Sequence, residues 1–243
     1  MSRSKQPTSP VSPGEPASVA AASQAEVKAF LDAARAVAPT RAAGQRGRLA
    51  FAMDATFSRQ PTWDLACGIQ GELFAAAADL GGLDVQLIYY RGQDECRASS
   101  WVSDPKRLGQ LMASISCQGG QTQISRVLTH LAAEAERTGL KAAVFVGDAV
   151  EENADALAAK AGELAVLGVR LFLFQEGEDR HVERVFRELA RLTSGAWCRF
   201  RPGADAELRA LLRAVAAYAA GGRQALLDRP EPGALRLLSA MGK

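Results

Sequence analysis

The sequence predicts an α/β three-layer sandwich: a mostly parallel central sheet, helices on both faces, and one antiparallel strand near the edge. Three observations carry this. From Leu49 onward, apolar runs alternate with segments of helical period. Several runs, such as "RLAFAM", "KAAVFVGD" and "VRLFLFQE", are almost continuously apolar, as strands covered on both faces require. Only "GQDE" separates "DVQLIYYR" from "CRASSWV", too short for a parallel crossover, so those two runs should form an antiparallel hairpin.

Taken in order, residues 1–22 are rich in Ser, Pro and Gln and read as a disordered tail. Residues 23–47 read as a helix, "SQAEVKAFLDAARAVAP", capped by Ser23 and ended before Pro39, followed by a basic linker. Arg41, Arg46 and Arg48 read as solvated linker residues rather than phosphate ligands. The main domain is expected over residues 48–220. Its first strand, "RLAFAM", leads to a helix in "LACGIQGELFAAAADL" that stops at Gly81-Gly82. After the hairpin comes "DPKRLGQLMASI", a helix with Asp104 as cap and Pro105 at its first position. A glycine-containing loop, "SCQGGQTQ", precedes a helix from Ile124 to about Thr138. The strand "KAAVFVGD", the helix "NADALAAKAGELAVLG" and the strand "VRLFLFQE" follow, then the helix "DRHVERVFRELARLTSG", the strand "AWCRF" and the helix "DAELRALLRAVAAYAAGG". Residues 221–243 form a C-terminal tail whose Leu235, Leu237, Leu238 and Met241 offer apolar contact to the domain or to a partner.

Composition excludes several classes. With 243 residues, 48% of them hydrophobic and 23% charged, the chain can build a core without disulfides. A net charge of +2 is too mild to indicate nucleic acid or an anionic membrane. Cys67, Cys96, Cys117 and Cys198 have no C-x-x-C spacing and read as reduced thiols. The N-terminus has no apolar signal region and no run is long enough to span a bilayer, so a soluble, cytoplasmic protein with no membrane span is expected. His130 and His181 fall in helices, no G-x-S-x-G elbow occurs, and no G-x-x-x-x-G-K-[ST] phosphate loop occurs.

In open α/β sheets, ligands bind beyond the carboxyl ends of the strands, where the strand order reverses. Three loops at the carboxyl ends of predicted strands or in helix-preceding turns carry oxygen. Asp54, Thr56 and Ser58 follow the first strand, Thr122 lies in "GGQTQ", and Asp148 follows "KAAVFVG". Few carboxylates, several hydroxyls and no His or Cys at ligand spacing suit a hard cation, Mg2+ or Mn2+. Such an ion stays under-neutralised and accepts a carboxylate from outside. The competing reading makes Asp54 and Ser58 caps of the following turn and Asp148 a cap of the next helix. Glu151 and Glu152 read as a solvated acidic loop rather than as a second metal shell. Trp63 either shapes the rim of the site or staples a helix to the sheet, while Trp101 and Trp197 read as core.

The pattern D-x-[ST]-x-S, then a Thr in a GG-x-T turn, then an Asp after a later strand, resembles the metal-ion-dependent adhesion site of von Willebrand factor A-type (VWA) domains. The resemblance extends over about residues 48 to 220 and implies a Rossmann-like fold of the bacterial intracellular type. Thr56 stands where the family usually has Ser, and Ala149 where it often has Gly. The resemblance implies that Thr56, Ser58 and Thr122 ligate through hydroxyls, and that Asp54 and Asp148 bind directly or through waters. It also implies a non-enzymatic module whose protein partner supplies an Asp or Glu. Intracellular members commonly work beside AAA+ ATPases, chaperones or metal-insertion machinery, which implies an adaptor or assembly role. A second resemblance is to haloacid-dehalogenase-like phosphotransferases, with Asp54 as nucleophile and Asp148 and Glu152 holding Mg2+. Against it, the second acid of D-x-D is missing, Lys141 lies at the wrong end of its strand, and Lys160 lies inside a helix.

Overall fold

The computed structural model describes residues 46–241; the expected N-terminal tail and the helix beginning at Ser23 lie outside them. The strands are β1 (Gly47–Asp54), β2 (Leu83–Arg91), β3 (Glu95–Ala98), β4 (Ala142–Gly147), β5 (Arg170–Glu176) and β6 (Ala196–Phe200). The helices are α1 (Gln60–Ala77), α2 (Pro105–Ala113), α3 (Ile124–Thr138), α4 (Ala154–Val166), α5 (Arg180–Leu192), α6 (Asp205–Asp228) and α7 (Pro232–Met241). The six strands form one sheet in the order β3-β2-β1-β4-β5-β6. All neighbours are parallel except β2 and β3, the expected hairpin at the edge.

This order places the topological switch between β1 and β4. The chain steps outward from β1 to β2 and β3, then crosses back to the other side of β1 for β4. Connections leaving the carboxyl ends of β1 and β4 therefore diverge, which opens a crevice there. Phe51 sits at the middle of the sheet, opposite Leu87 of β2 and Val144 of β4. Alternation along β1 divides the interior into two cores. Leu49, Phe51 and Met53 pack with α1, α2, α6 and α7 on one face. Ala50 and Ala52 face α3, α4 and α5 on the other, where large rings occupy the space these small residues leave. Tyr90 stacks on Phe145 at 6.2 Å between centroids, and Phe145 meets Phe186 edge-on at 5.6 Å.

Helix α1 begins at Gln60, five residues ahead of the expected "LACG", because Pro61 suits the first turn and Thr62 and Trp63 are buried. The helix and a following short 3-10 turn end at Gly81, in the left-handed region at φ 95°. Asp104 caps α2 as expected, accepting from the Lys106 amide at 3.0 Å. At the other end of the chain, helical structure continues past Gly221 through a kink at Gly222, where φ is 69° and ψ −163°. Beyond it, Ala225 and Leu226 are buried. The C-terminal segment docks on the domain: Ala234 and Leu237 of α7 join the core that contains Phe200 and Leu211. Gly233 permits the approach, since a Cβ there would lie 2.1 Å from the Ala210 carbonyl oxygen.

The tryptophans separate. Trp63 is buried and donates from its indole nitrogen to the Met112 carbonyl at 3.3 Å, so it staples α1 to α2. Trp101 and Trp197 are half-buried rather than core. The Arg187 guanidinium lies 4.0 Å from the centre of the Trp197 ring, a cation–π contact. Among the described residues, no helix is long and apolar enough to cross a membrane.

Candidate metal centre

The loop after β1 turns sharply. Asp54, the last residue of the strand, is 3% exposed, and its Oδ1 accepts the Thr56 amide at 2.7 Å. Thr56 Oγ1 and Ser58 Oγ lie 3.2 Å apart; Thr56 is buried and Ser58 exposed. Two backbone bonds then fix the loop from its sides. The Ala55 amide donates to the Tyr90 carbonyl, and the Ala55 carbonyl accepts the Gln118 amide, both at 3.0 Å.

The second loop is the glycine-containing one before α3. Gly120 packs so closely on the β2–β3 turn that a Cβ would stand 2.1 Å from the Gly92 carbonyl oxygen, so only glycine fits. Thr122 is buried and makes a reciprocal pair with the third loop: its amide donates to Glu151 Oε2 at 2.9 Å, and the Glu151 amide donates to Thr122 Oγ1 at 3.1 Å. The neighbouring Glu152 accepts the Ile124 amide at 2.5 Å and the Ser125 amide at 2.8 Å. It therefore closes the N-terminus of α3, where the helix dipole favours a negative charge. The expectation of a solvated acidic loop is thus corrected: both glutamates tie the third loop to the second.

Asp148 is half-buried, 3.5 Å from Nη1 of Arg59. It does not cap the next helix; Asn153 does, accepting the Ala156 amide at 2.9 Å. Three contacts therefore close a ring of loops: Ala55–Gln118, Thr122–Glu151 and Arg59–Asp148. The five oxygen-bearing residues singled out in the sequence all lie on these loops.

The electrostatics are uneven. Arg59 is 3% exposed, forms an ion pair with Glu176 at the end of β5, and leaves Nη2 without a partner. Glu176 also accepts from Thr62 Oγ1 at 2.5 Å. Asp54 receives no such pairing. Burial pushes its carboxyl above the usual 3.8, the Thr56 bonds oppose that rise, nearby Asp148 adds to it, and Arg59 offsets only part. The fully buried Tyr90 hydroxyl lies beside the Asp54 carboxyl. Burial, and then the charges of Asp54, Asp148 and Glu152, push that phenol well above 10.

A hard cation suits this donor set. Asp54 is a buried, under-compensated carboxylate, and Asp148, Thr56, Ser58 and Thr122 add a second carboxylate and three neutral hydroxyls. Among the described residues, no cluster of three or more His, Cys, Asp or Glu could hold a metal. Ligation here would thus depend on hydroxyls, the oxygen chemistry Mg2+ and Mn2+ accept. The lysines named for the phosphotransferase lie elsewhere. Lys141 precedes Ala142, which pairs with Leu49 at the amino end of β1, and its Nζ donates to the Leu167 carbonyl at 2.9 Å. Lys160 donates to Thr129 Oγ1 at 2.7 Å from α4.

Arg59, Glu176 and Tyr90 are not legible in the sequence as parts of the site. Arginine is ordinarily exposed, and Thr62 and Glu176 meet across 114 residues of chain. The histidines are peripheral, as expected: His130 Nε2 pairs with Gln86 Oε1 at 3.0 Å, and His181 is exposed on α5.

No family model matches the chain, and no curated protein is similar to it in sequence. Solved structures are similar in fold. The vWF domain of the type V pili tip protein Mfa5 from Porphyromonas gingivalis aligns with a TM-score of 0.56 and 9% identity, over 72% of this chain and 95% of that one. The SpRpn10 VWA domain aligns at 0.52 and 11%, over 73% and 98%. An aerotolerance-related membrane protein from Bacteroides fragilis aligns at 0.51 and 16%, over 70% and 98%. The described residues therefore have the von Willebrand factor A-type fold, an α/β sandwich whose mixed sheet is parallel except at one edge.

Proposed function

We propose that this domain is a protein-interaction module that holds a divalent cation, Mg2+ or Mn2+, through Asp54, Thr56, Ser58, Thr122 and Asp148. The observation that carries the reading is the closed ring of three loops around a buried Asp54 carboxylate that lacks a full complement of positive charge. When bound, the cation supplies a Lewis-acidic position open to an Asp or Glu of a partner. The chain's own residues supply the rest. Asp54 anchors Thr56 through its amide, the Thr122–Glu151 pair holds the second loop to the third, and Arg59 holds Asp148 beside them. The fold likeness to a pilus tip domain and to the SpRpn10 VWA domain is compatible with adhesion or protein binding. An adaptor or assembly role in the cytoplasm, beside an AAA+ ATPase or a chaperone system, is proposed from the resemblance alone.

The test is thermal unfolding of the full chain in EDTA, Mg2+ and Mn2+. Either cation is expected to raise the melting temperature of the wild type, and Asp54→Ala and Asp148→Ala are each expected to abolish the rise. An identical melting curve in all three buffers removes the cation from the reading.

A further inference from the structure

Four large hydrophobic side chains are exposed among the described residues: Phe57, Val166, Leu227 and Leu235. Only Phe57 belongs to the candidate site. It is 68% exposed and lies between Thr56 and Ser58, so both its chain neighbours are candidate ligands. Its position is restrained. The Thr56 amide is held by Asp54, the Arg59 amide donates to the Thr56 carbonyl at 3.0 Å, and Arg59 itself is buried. Its ring lies against the second loop at Gly119, where a Cβ would stand 3.4 Å from Cδ2. The ring is thus fixed at the rim, with most of its surface facing solvent.

The three loops carry no exposed basic side chain, and the arginines that border the second loop are already paired: Arg91, which donates to the Ser116 carbonyl, with Glu95, and Arg126, in the first turn of α3, with Asp94. Besides Phe57, the exposed side chains on the three loops are Ser58, Ser116, Gln118, Gln121, Glu151 and Asn153. None is basic, and the one loop arginine, Arg59, is buried. A run of acidic residues in a partner would therefore meet Glu151 and find no unpaired cationic side chain on these loops. An apolar side chain beside a single acid would meet Phe57 instead. Consecutive residues are 3.8 Å apart along a chain. A partner residue next to a cation-bound acid therefore falls within reach of a ring rooted between two ligands.

We propose that Phe57 selects partner segments in which one Asp or Glu is directly flanked by an apolar residue, and that the site disfavours polyacidic segments. This rests on the cation reading above and adds the chemistry of the partner to it. The test uses the full chain and four blocked tetrapeptides as probes: Gly-Asp-Leu-Gly, Gly-Asp-Gly-Gly, Gly-Asn-Leu-Gly and Asp-Asp-Asp-Asp. Binding is followed by NMR titration with Mg2+ and with EDTA, for the wild type, Phe57→Ala and Phe57→Leu. The Asp-Leu peptide is expected to bind about tenfold more tightly than the Asp-Gly peptide, the scale of burying a few apolar carbons. Tetra-aspartate should bind more weakly than Asp-Leu. Phe57→Ala should erase the Asp-Leu advantage, Phe57→Leu should keep most of it, and both variants should retain the wild-type thermal shift with Mg2+.

Equal binding of the Asp-Leu and Asp-Gly peptides by the wild type overturns the proposal, as does a preference that survives in Phe57→Ala. Tightest binding by tetra-aspartate, or no binding of any probe while Mg2+ still stabilises the protein, also overturns it. A Phe57-dependent Asp-Leu preference that is the same in Mg2+ and EDTA supports the contact while removing the cation from it, so the two failures are distinguishable.

Discussion

Two buried carboxylates on this domain lead opposite lives. Glu134, on α3, is 6% exposed and fully answered: both its oxygens accept from Arg137, at 2.7 and 2.8 Å, and the Trp101 indole donates to it at 3.1 Å. Burial acts to raise its pKa, and the bonds from Arg137 and Trp101 outweigh that and hold it below 4.5. Asp54, at the carboxyl end of β1, is 3% exposed and answered mainly by one backbone amide. Burial wins there, and its carboxyl rises. A satisfied buried charge belongs to the architecture. An under-compensated one is a cost to the fold, tolerated where a ligand can supply the missing charge.

The largest effect is expected where the site borrows the architectural solution. Arg59 is the internal cation of the region, paired with Glu176 and close to Asp148. Arg59→Met should cost about 3–5 kcal/mol in urea unfolding, because it leaves Glu176 buried without a countercharge. A cost near zero would mean that Glu176 finds water or another donor. Next comes the cation. At a concentration one hundred times its dissociation constant, Mg2+ should add about 2.7 kcal/mol to the wild type. Asp54→Asn should add nothing on Mg2+ addition, yet melt no lower than the wild type in EDTA, since it removes a poorly compensated charge while keeping an acceptor for the Thr56 amide. If Asp54→Asn is strongly destabilised in EDTA, Asp54 belongs with Glu134 and the contrast fails.

Smaller still is Glu134→Gln, which should cost about 1 kcal/mol at pH 7, because Arg137 is largely exposed and regains water. The sign of its pH dependence follows from the lowered pKa. The ionised carboxylate contributes stability above the ordinary value of 4.5, and that contribution is lost as the pH falls through the lower folded value. The gap between wild type and Glu134→Gln in urea midpoints should therefore narrow below pH 4.5. A gap that widens on acidification would reverse the assignment.

How much was legible in advance depends on the range of the interaction. Strand order at the hairpin, the cap at Asp104 and the span of α3 follow from neighbours within a few residues, and they emerged from pattern alone. The start of α1 did not, because Pro61 favours a helix start only if Thr62 and Trp63 have a core to enter. The continuation of α6 through Gly222 was hidden for the same reason: a Gly-Gly pair reads as a stop, and burial of Ala225 and Leu226 overrides it. At the site, Asp54, Thr56, Ser58 and Asp148 stand out by residue type and by position after apolar runs, Thr122 by its place in a glycine-containing turn before a helix, and the five as one set by the family resemblance. Glu151 and Glu152 were misjudged because their partners, Thr122, Ile124 and Ser125, come from another loop.

By itself, the sequence determined the layers of this protein. Period and apolar continuity are written locally, and they dictate a covered, mostly parallel sheet with a carboxylate at the end of its first strand. Only the tertiary structure decided what surrounds that carboxylate. The crossing of the chain between β1 and β4 brings three distant loops to one crevice. It buries Arg59 against Glu176 and leaves Asp54 short of positive charge, while Phe57 remains at the rim in water. Electrostatic compensation is a sum over neighbours in space, and those neighbours are chosen by topology rather than by adjacency along the chain.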